Sequence, residues 1–156
     1  MSKLKQLSTL KTVIQDAQKN GKTVVFTNGC YDILHVGHIR CLREAKSIGD
    51  ILVVAVNSDQ SMMNYKGRDS LYYPQEERLE ILEAIEYIDY LYLFDELTVD
   101  QVLLELKPDI HAKGTDYTVE TVPERATVLS YGGRIAIVGD EKNHSSSQIK
   151  QKIRKL

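Results

Sequence analysis

The sequence predicts an α/β protein with a single doubly wound sheet of five parallel strands. Strand-like and helix-like segments alternate along the whole chain, which favours a parallel sheet with right-handed crossovers. Residues 51–56 form a continuous apolar run, which is typical of a strand buried on both faces. Because the chain has 156 residues and shows no repeat or low-complexity linker, we expect one domain over residues 1–156.

The individual elements follow from apolar spacing and from the turn residues between the segments. We expect strands over residues 23–27, 51–56, 90–94, 109–112 and 134–138. We expect helices over 36–47, 75–87, 99–106, 123–131 and 146–155, and a packing helix over 4–19 that Ser8 or Thr9 would cap. Residues 60–73 have no apolar period and are predicted to be irregular. The first strand is predicted to lie at the centre of the sheet, where ligands bind beyond the strand ends.

Composition narrows the function classes. With 42% hydrophobic and 27% charged residues, the chain is typical of a soluble globular protein. A net charge of −2 gives no reason to expect nucleic acid or a membrane as partner. The first 22 residues are too polar for a signal peptide or a spanning helix. Because there are only two cysteines and no disulfide pattern, we expect a cytoplasmic protein.

The most informative stretch joins the first strand to the following helix. A polar turn, Thr27-Asn28-Gly29, leads into His35-Val36-Gly37-His38 at the predicted helix start. Imidazoles three residues apart lie on one helix face, near the free N–H groups of the first turn, which attract anions. Gly37 has no side chain, so that a phosphate could approach the backbone. The stretch therefore predicts a nucleoside triphosphate site with two proton-bearing groups.

A metal site is the competing interpretation of this stretch. Cys30, His35, His38 and Cys41 are all residue types that bind zinc. Their spacing does not match a standard zinc finger, and the intervening glycine suits phosphate better. We therefore expect no metal ligation here, and we expect the two cysteines to be free, buried thiols.

The same stretch resembles a known family. Residues 28–38, NGCYDILHVGH, closely resemble the opening motif of the cytidylyltransferase-like nucleotidyltransferases. The wider pattern resembles one branch, the heptose-1-phosphate adenylyltransferases of lipopolysaccharide precursor synthesis. The branch's AVNSD, KGxDY, YGG and terminal STTxI motifs resemble residues 55–59, 113–117, 131–133 and 145–149. This resemblance covers residues 5–155 and implies a Rossmann-like nucleotidyltransferase fold.

The resemblance implies attack by an acceptor phosphate oxygen on the α-phosphorus of ATP, releasing pyrophosphate. It makes His35 and His38 donors to the phosphate chain, Lys66 a point charge on a mobile loop, and Arg78 a two-pronged clamp. A duller interpretation of Lys66 and Arg78 is solvated surface charge. The nucleotide-binding positions that the resemblance implies are Thr27, Asn28, Gly29, Cys30, Tyr31, Asp32, Gly37, Lys113, Gly114, Asp116, Tyr117, Ser145, Ser146 and Ser147. Among these, Asp116 and Tyr117 could simply form a turn, and the serines could simply cap the last helix.

The expected partners are ATP and a phosphorylated sugar, with no nucleic acid and no membrane. Mg²⁺ is expected to arrive with the triphosphate, because no carboxylate cluster marks a dedicated cage. An aromatic-rich middle could be the surface of a homodimer or could be core and loop packing. It consists of Tyr72, Tyr73, Tyr87, Tyr90 and Tyr92.

The chain departs from the branch pattern at two loops. Ser70 and Leu71 replace an arginine and a proline, and residues 142–144, Lys-Asn-His, replace a pattern that usually contains Glu-Gly. Lys142 and His144 make this edge of the site more basic, so the identity of the sugar 1-phosphate stays open. One alternative is a cytidylyltransferase for glycerol 3-phosphate. Asp140 counts against it, because it stands where that branch carries an arginine. Another alternative is a non-catalytic nucleotide-binding module, and the intact histidine pair counts against that one.

Overall fold

The fold is a single five-stranded sheet in which every strand pairing is parallel. The computed structural model describes residues 2–67, 71–141 and 143–156. The strand order is β3-β2-β1-β4-β5, so β1 lies at the centre, as predicted. The strands are β1 Val24–Gly29, β2 Ile51–Asn57, β3 Tyr90–Phe94, β4 Ile110–Gly114 and β5 Arg134–Val138.

Helices cover both faces of the sheet, which confirms the doubly wound prediction. They are α1 Leu7–Lys19, α2 Val36–Ser47, α3 Asp59–Lys66, α4 Gln75–Glu83, α5 Asp100–Leu106, α6 Arg125–Ser130 and α7 Ser146–Arg154. Alternate side chains of β1 point to opposite faces. Phe26 packs in a core with α1, α5 and α6, whereas Val25 packs in a second core with α2 and α4.

The N-terminal helix begins three residues later than predicted. Residues 3–5 instead run beside the outer edge of β3, where the Lys5 N–H donates to Leu91 O at 3.0 Å and the Leu91 N–H donates to Lys3 O at 2.9 Å. This pairing covers part of an edge strand that would otherwise offer free backbone groups. The predicted capping by Ser8 or Thr9 is wrong, because Gln6 occupies the N-cap position and makes no side-chain cap.

The segment over residues 60–73 is not irregular throughout, because α3 occupies its first half. Ser58 caps this helix by accepting a hydrogen bond from the Ser61 N–H at 3.1 Å. Met62 is the one large apolar side chain that α3 buries. A good cap and one buried anchor therefore replace the apolar period that the sequence lacks. Lys66 is the last residue of α3, and residues 68–70 lie outside the described part of the chain.

The tyrosines do not form one surface. Tyr90 and Tyr92 pack against the core on the α1 side of the sheet, whereas Tyr72 and Tyr73 are exposed. A homodimer stays a prediction. Among the described residues, the helices are too short or too polar to cross a membrane.

Candidate active site

A cavity of about 560 Å³ lies at the carboxyl edge of the sheet, as predicted for this topology. The ends of β1, β4 and β5 form its base, and the first turns of α2 and α7 form part of its wall. All the predicted site residues except Asp32 and Arg78 line this cavity. The tertiary structure therefore brings together motifs that are separated by more than one hundred residues.

His35 and His38 cap the helix that they open. The Gly37 N–H donates to His35 Nδ1 at 3.1 Å, and the His35 N–H donates to His38 Nδ1 at 3.2 Å. The two imidazoles thus form a reciprocal capping box, with ring centroids 4.0 Å apart. Both rings line the cavity while their Nδ1 atoms satisfy backbone donors.

This capping decides which nitrogen of each ring carries the proton. A neutral imidazole has one donor nitrogen and one acceptor nitrogen. Because each Nδ1 accepts a backbone N–H, the proton of the neutral ring lies on Nε2. Each histidine is therefore set to donate from Nε2, which is the polarity that a phosphate oxygen requires.

Gly37 has a structural role that the sequence did not suggest. A Cβ atom at position 37 would lie 2.8 Å from His35 Cε1 and 2.9 Å from Nδ1. The absence of a side chain therefore makes room for the His35 ring, and the approach of a phosphate to this backbone stays a prediction. The expected cradle of free N–H groups is also smaller, because the histidines occupy two of them.

Tyr31 supports the histidine pair from below. Its backbone has a φ of 51°, a left-handed conformation that is uncommon outside glycine. Its buried ring lies 5.6 Å from the His38 ring, centroid to centroid. A Cβ atom at Gly29 would lie 3.1 Å from Tyr31 Cε2, so this glycine allows the ring to approach β1. The strained turn and the glycine together fix the ring on which His38 rests.

The N-terminus of α7 meets the same cavity. Ser145 caps α7 by accepting from the Gln148 N–H at 3.1 Å, and the Ser146 hydroxyl donates to Ile33 O at 2.7 Å. His144, directly before the cap, has its ring 6.4 Å from that of His35. Two helix N-termini and three imidazoles therefore surround one space, which favours an anion. Lys142, the other predicted cation of this loop, lies outside the described residues.

Asp32 does not line the cavity, which corrects its predicted nucleotide-binding role. Its buried carboxylate accepts the N–H groups of Tyr72 and Tyr73 at 3.1 and 2.9 Å, and pairs with Lys150 Nζ at 2.9 Å. Burial raises the pKa of this carboxyl, but these donors outweigh burial and lower the pKa below its usual value. Asp32 is therefore a tie between the end of β1, the loop before α4, and α7.

Arg78 is also misplaced by the sequence argument. The side chain is fully buried, and four of its N–H groups are engaged. Nη1 donates to the carbonyls of Cys30 and Asn57, Nε donates to Tyr73 O, and Nη2 pairs with Asp59 at 2.8 Å. Because the Arg78 guanidinium is buried and bonded to these protein groups, it is not positioned to bind a triphosphate in the cavity. Arg78 instead joins the ends of β1 and β2 beneath the cavity.

Lys66 is exposed at the end of α3 and lines the cavity, so its predicted contact with the triphosphate is sterically open. We expect ATP to reduce tryptic cleavage after Lys66 severalfold, because a bound triphosphate would hold its ammonium group. Limited trypsin digestion followed by mass spectrometry measures this. Cleavage after the exposed Lys19, on the remote helix α1, is the internal control. Equal cleavage rates at Lys66 with and without ATP would contradict the contact.

The two cysteines are free thiols near the cavity. Cys41 donates its S–H to Val138 O at 3.3 Å, and burial raises the pKa of this thiol to about 11. Both cysteines are half-buried rather than fully buried. Across the described ranges, no group of three or more histidine, cysteine or acidic side chains could hold a metal ion.

Some cavity residues were not predicted from the sequence. Arg40 on α2 pairs with Asp140 after β5, and the Thr115 hydroxyl donates to Asp140 O at 2.7 Å. Glu124 reaches the cavity from the loop before α6. The sequence pattern around His38 did not indicate that Arg40 would line the cavity, and no sequence motif contained Glu124. These residues meet only through tertiary contacts.

The sequence matches the model of the cytidylyltransferase-like family over residues 26–152. The chain belongs to this family. Its relatives include the Bifunctional protein HldE of Geobacter sulfurreducens, which is 44% identical over 99% of this chain and 31% of that protein. The HldE of Syntrophotalea carbinolica is 43% identical over 97% of this chain and 31% of that protein. The chain thus spans about a third of these relatives.

A solved structure supports the same placement. The lipopolysaccharide core biosynthesis protein of Thermoplasma volcanium has a TM-score of 0.67 and 29% sequence identity, over 78% of this chain and all of that chain. The family match and this solved structure therefore agree on the family and the fold of the chain.

Proposed function

We propose that the protein transfers AMP from ATP to a sugar 1-phosphate, with heptose 1-phosphate as the first candidate, and releases pyrophosphate. The carrying observation is the pair of histidines whose Nδ1 atoms accept backbone N–H groups at the start of α2, which leaves Nε2 of each ring as the donor. The similarity to HldE proteins and to a lipopolysaccharide core biosynthesis protein supports a sugar acceptor. The free thiols suit a cytoplasmic enzyme.

The chemical difficulty is that one anion must attack another. An oxygen of the acceptor phosphate forms a bond to the α-phosphorus while the bond to the bridging oxygen breaks, and the electron pair leaves on pyrophosphate. Donors at His35 and His38 would stabilise the charge that builds up on the phosphate chain. The N-termini of α2 and α7 add fixed partial positive charge without any rearrangement.

Mg²⁺ belongs to this proposal as a companion of the triphosphate. The described carboxylates do not cluster into a cage, so the ion would be held mainly by phosphate oxygens. When bound, it would neutralise part of the triphosphate charge. Lys66 and the imidazoles would then meet the remaining charge.

We expect ATP to be preferred over CTP by at least tenfold in kcat/KM. Where the glycerol-phosphate branch carries an arginine, this chain has Asp140, whose carboxylate pairs with Arg40 at the cavity wall. Asp140 thus takes the place of that branch's cation, and its carboxylate neutralises the Arg40 guanidinium, which disfavours the cytidylyltransferase alternative.

A pyrophosphate-release screen tests both the nucleotide and the acceptor. It crosses ATP, CTP, GTP and UTP with heptose, glucose and mannose 1-phosphates and with glycerol 3-phosphate. Release with ATP and a sugar 1-phosphate supports the proposal, whereas a clear preference for CTP contradicts the branch assignment. Tight ATP binding without pyrophosphate release from any acceptor would instead indicate a non-catalytic nucleotide-binding module.

A further inference from the structure

The cavity has two chemically different halves. One half contains the imidazoles and the helix N-termini of α2 and α7, which attract phosphate. The other half, here called the α5–α6 half, lies toward the opposite face of the sheet, on which α5 and α6 pack. It is formed by Phe94, Leu97, Thr98, Val99, Pro123 and Glu124.

Glu124 is a buried carboxylate in this half with unused hydrogen-bonding capacity. Its side chain is only 9% exposed, and its Oε1 lies 3.6 Å from Lys113 Nζ. Oε2 is enclosed by the protein and faces His111 Nε2 at 3.4 Å, a weak contact that lacks the geometry of an ordinary hydrogen bond. Within the part of the chain that the structure describes, Oε2 and both His111 nitrogens have no hydrogen-bond partner. Such an arrangement is costly, and in native proteins it calls for an explanation.

The neighbours of Glu124 keep it ionised. Burial alone raises the pKa of this carboxyl, but His111 and Lys113 outweigh burial and lower the pKa to about 2. Burial lowers the pKa of His111, so this ring is neutral at pH 7. Glu124 is therefore an ionised acceptor that would repel phosphate and accept hydroxyl groups, and it would do so through Oε1, because Oε2 is enclosed by the protein.

Reaction geometry decides which molecule reaches this carboxylate. In phosphoryl transfer the attacking and leaving oxygens lie roughly in line on opposite sides of phosphorus. If pyrophosphate leaves toward the helix N-termini, the acceptor approaches from the α5–α6 half. There, Phe94 offers aromatic surface to the cavity.

We propose that the α5–α6 half is the acceptor-sugar subsite, in which Glu124, held between Lys113 and His111, binds hydroxyl groups of the sugar ring. This inference rests on the proposed function. The ribose of the nucleotide carries the same hydroxyl chemistry and is the other source of such a ligand, so the experiment separates the two.

The test is Glu124→Gln, which keeps the shape of the side chain and removes its charge. We expect the KM of the best acceptor from the screen to rise roughly tenfold to a hundredfold, the scale of losing a hydrogen bond to a charged group. The KM of ATP and kcat should stay within about twofold. Glu120→Gln is the matched control, because Glu120 is exposed in the same loop and does not line the cavity.

Deoxy-sugar phosphates sharpen the result. With the wild-type protein, an acceptor that lacks the contacted hydroxyl should show the same rise in KM that Glu124→Gln causes. With the Glu124→Gln protein, removing that hydroxyl should not raise the acceptor KM any further. A rise in the KM of ATP with an unchanged acceptor KM would overturn the proposal in favour of ribose. Unchanged kinetics in a folded Glu124→Gln protein would also overturn it. If that variant does not fold, Glu124→Asp should give the same acceptor-specific rise in KM.

Direct binding separates this subsite from the proposed function. If no acceptor supports pyrophosphate release, the proposed function fails, and titration of glucose 1-phosphate and mannose 1-phosphate in a calorimeter still tests the subsite. Binding to the wild type that is lost in Glu124→Gln supports the subsite. Absence of binding to the wild type, or equal binding to both proteins, overturns it.

Discussion

Replacing His35 or His38 by alanine should lower kcat for pyrophosphate release by about a hundredfold or more, the scale of losing one oriented transition-state donor. The KM for ATP should change much less, because the other imidazole and both helix N-termini still attract the triphosphate. Steady-state kinetics on each variant measure both parameters, and circular dichroism verifies the fold.

The histidines also cap α2, so alanine removes two functions at once. Loss of a cap costs about 1 kcal/mol of stability, which could disturb the site without any chemical role for the imidazole. His35→Asn separates the two effects, because asparagine caps a helix well but cannot supply the Nε2 proton. We expect His35→Asn to be nearly as stable as wild type and as inactive as His35→Ala. Near wild-type turnover in His35→Asn would remove this residue from the proposed chemistry.

Arg78→Met should lower the free energy of unfolding by about 3 kcal/mol or more, the usual result of breaking a buried charged network on one side. The change leaves the carbonyls of Cys30, Asn57 and Tyr73 without their donor. The melting temperature should fall by roughly 10 °C, given the usual scaling for a domain of this size. Thermal and urea unfolding measure the two quantities.

Two further variants test whether the loss of stability in Arg78→Met comes from the buried hydrogen-bond network. Arg134→Met removes an exposed arginine from β5 and should change stability by less than about 0.5 kcal/mol. Arg78→Lys keeps the charge but loses the planar fork, so its stability should lie between those of the wild type and Arg78→Met. If Arg78→Met were as stable as the wild type but bound ATP far more weakly, Arg78 would be a phosphate clamp after all.

The sequence predicted the fold because the determining patterns are local and periodic. The apolar run over residues 51–56 could be buried only between two helical layers, and β2 pairs with both β1 and β3. The position of β1 at the centre followed from the same reasoning and is confirmed. Where local patterns were weak, as in α3, a side-chain cap and a single buried methionine decided the structure instead.

The residues of the candidate site were predicted where each belongs to a short motif that is continuous in the sequence. The histidines, the turn before them, and the loops after β4 and before α7 do line one cavity. Arg78 and Asp32 were assigned to it because residue type alone cannot distinguish a charge that faces a ligand from one that ties strands together. Only the tertiary structure shows that both are buried and occupied by backbone partners.

By itself, the sequence determined the parallel sheet, its central strand and the histidine pair at the start of α2. The tertiary structure alone decided the proton position on each imidazole, the reason for Gly37, and the meeting of Glu124 with His111 and Lys113. The physical reason is that strands and helices record their burial in the spacing of neighbouring residues. Hydrogen bonds and ion pairs instead depend on distances of a few ångströms between atoms that the fold brings together.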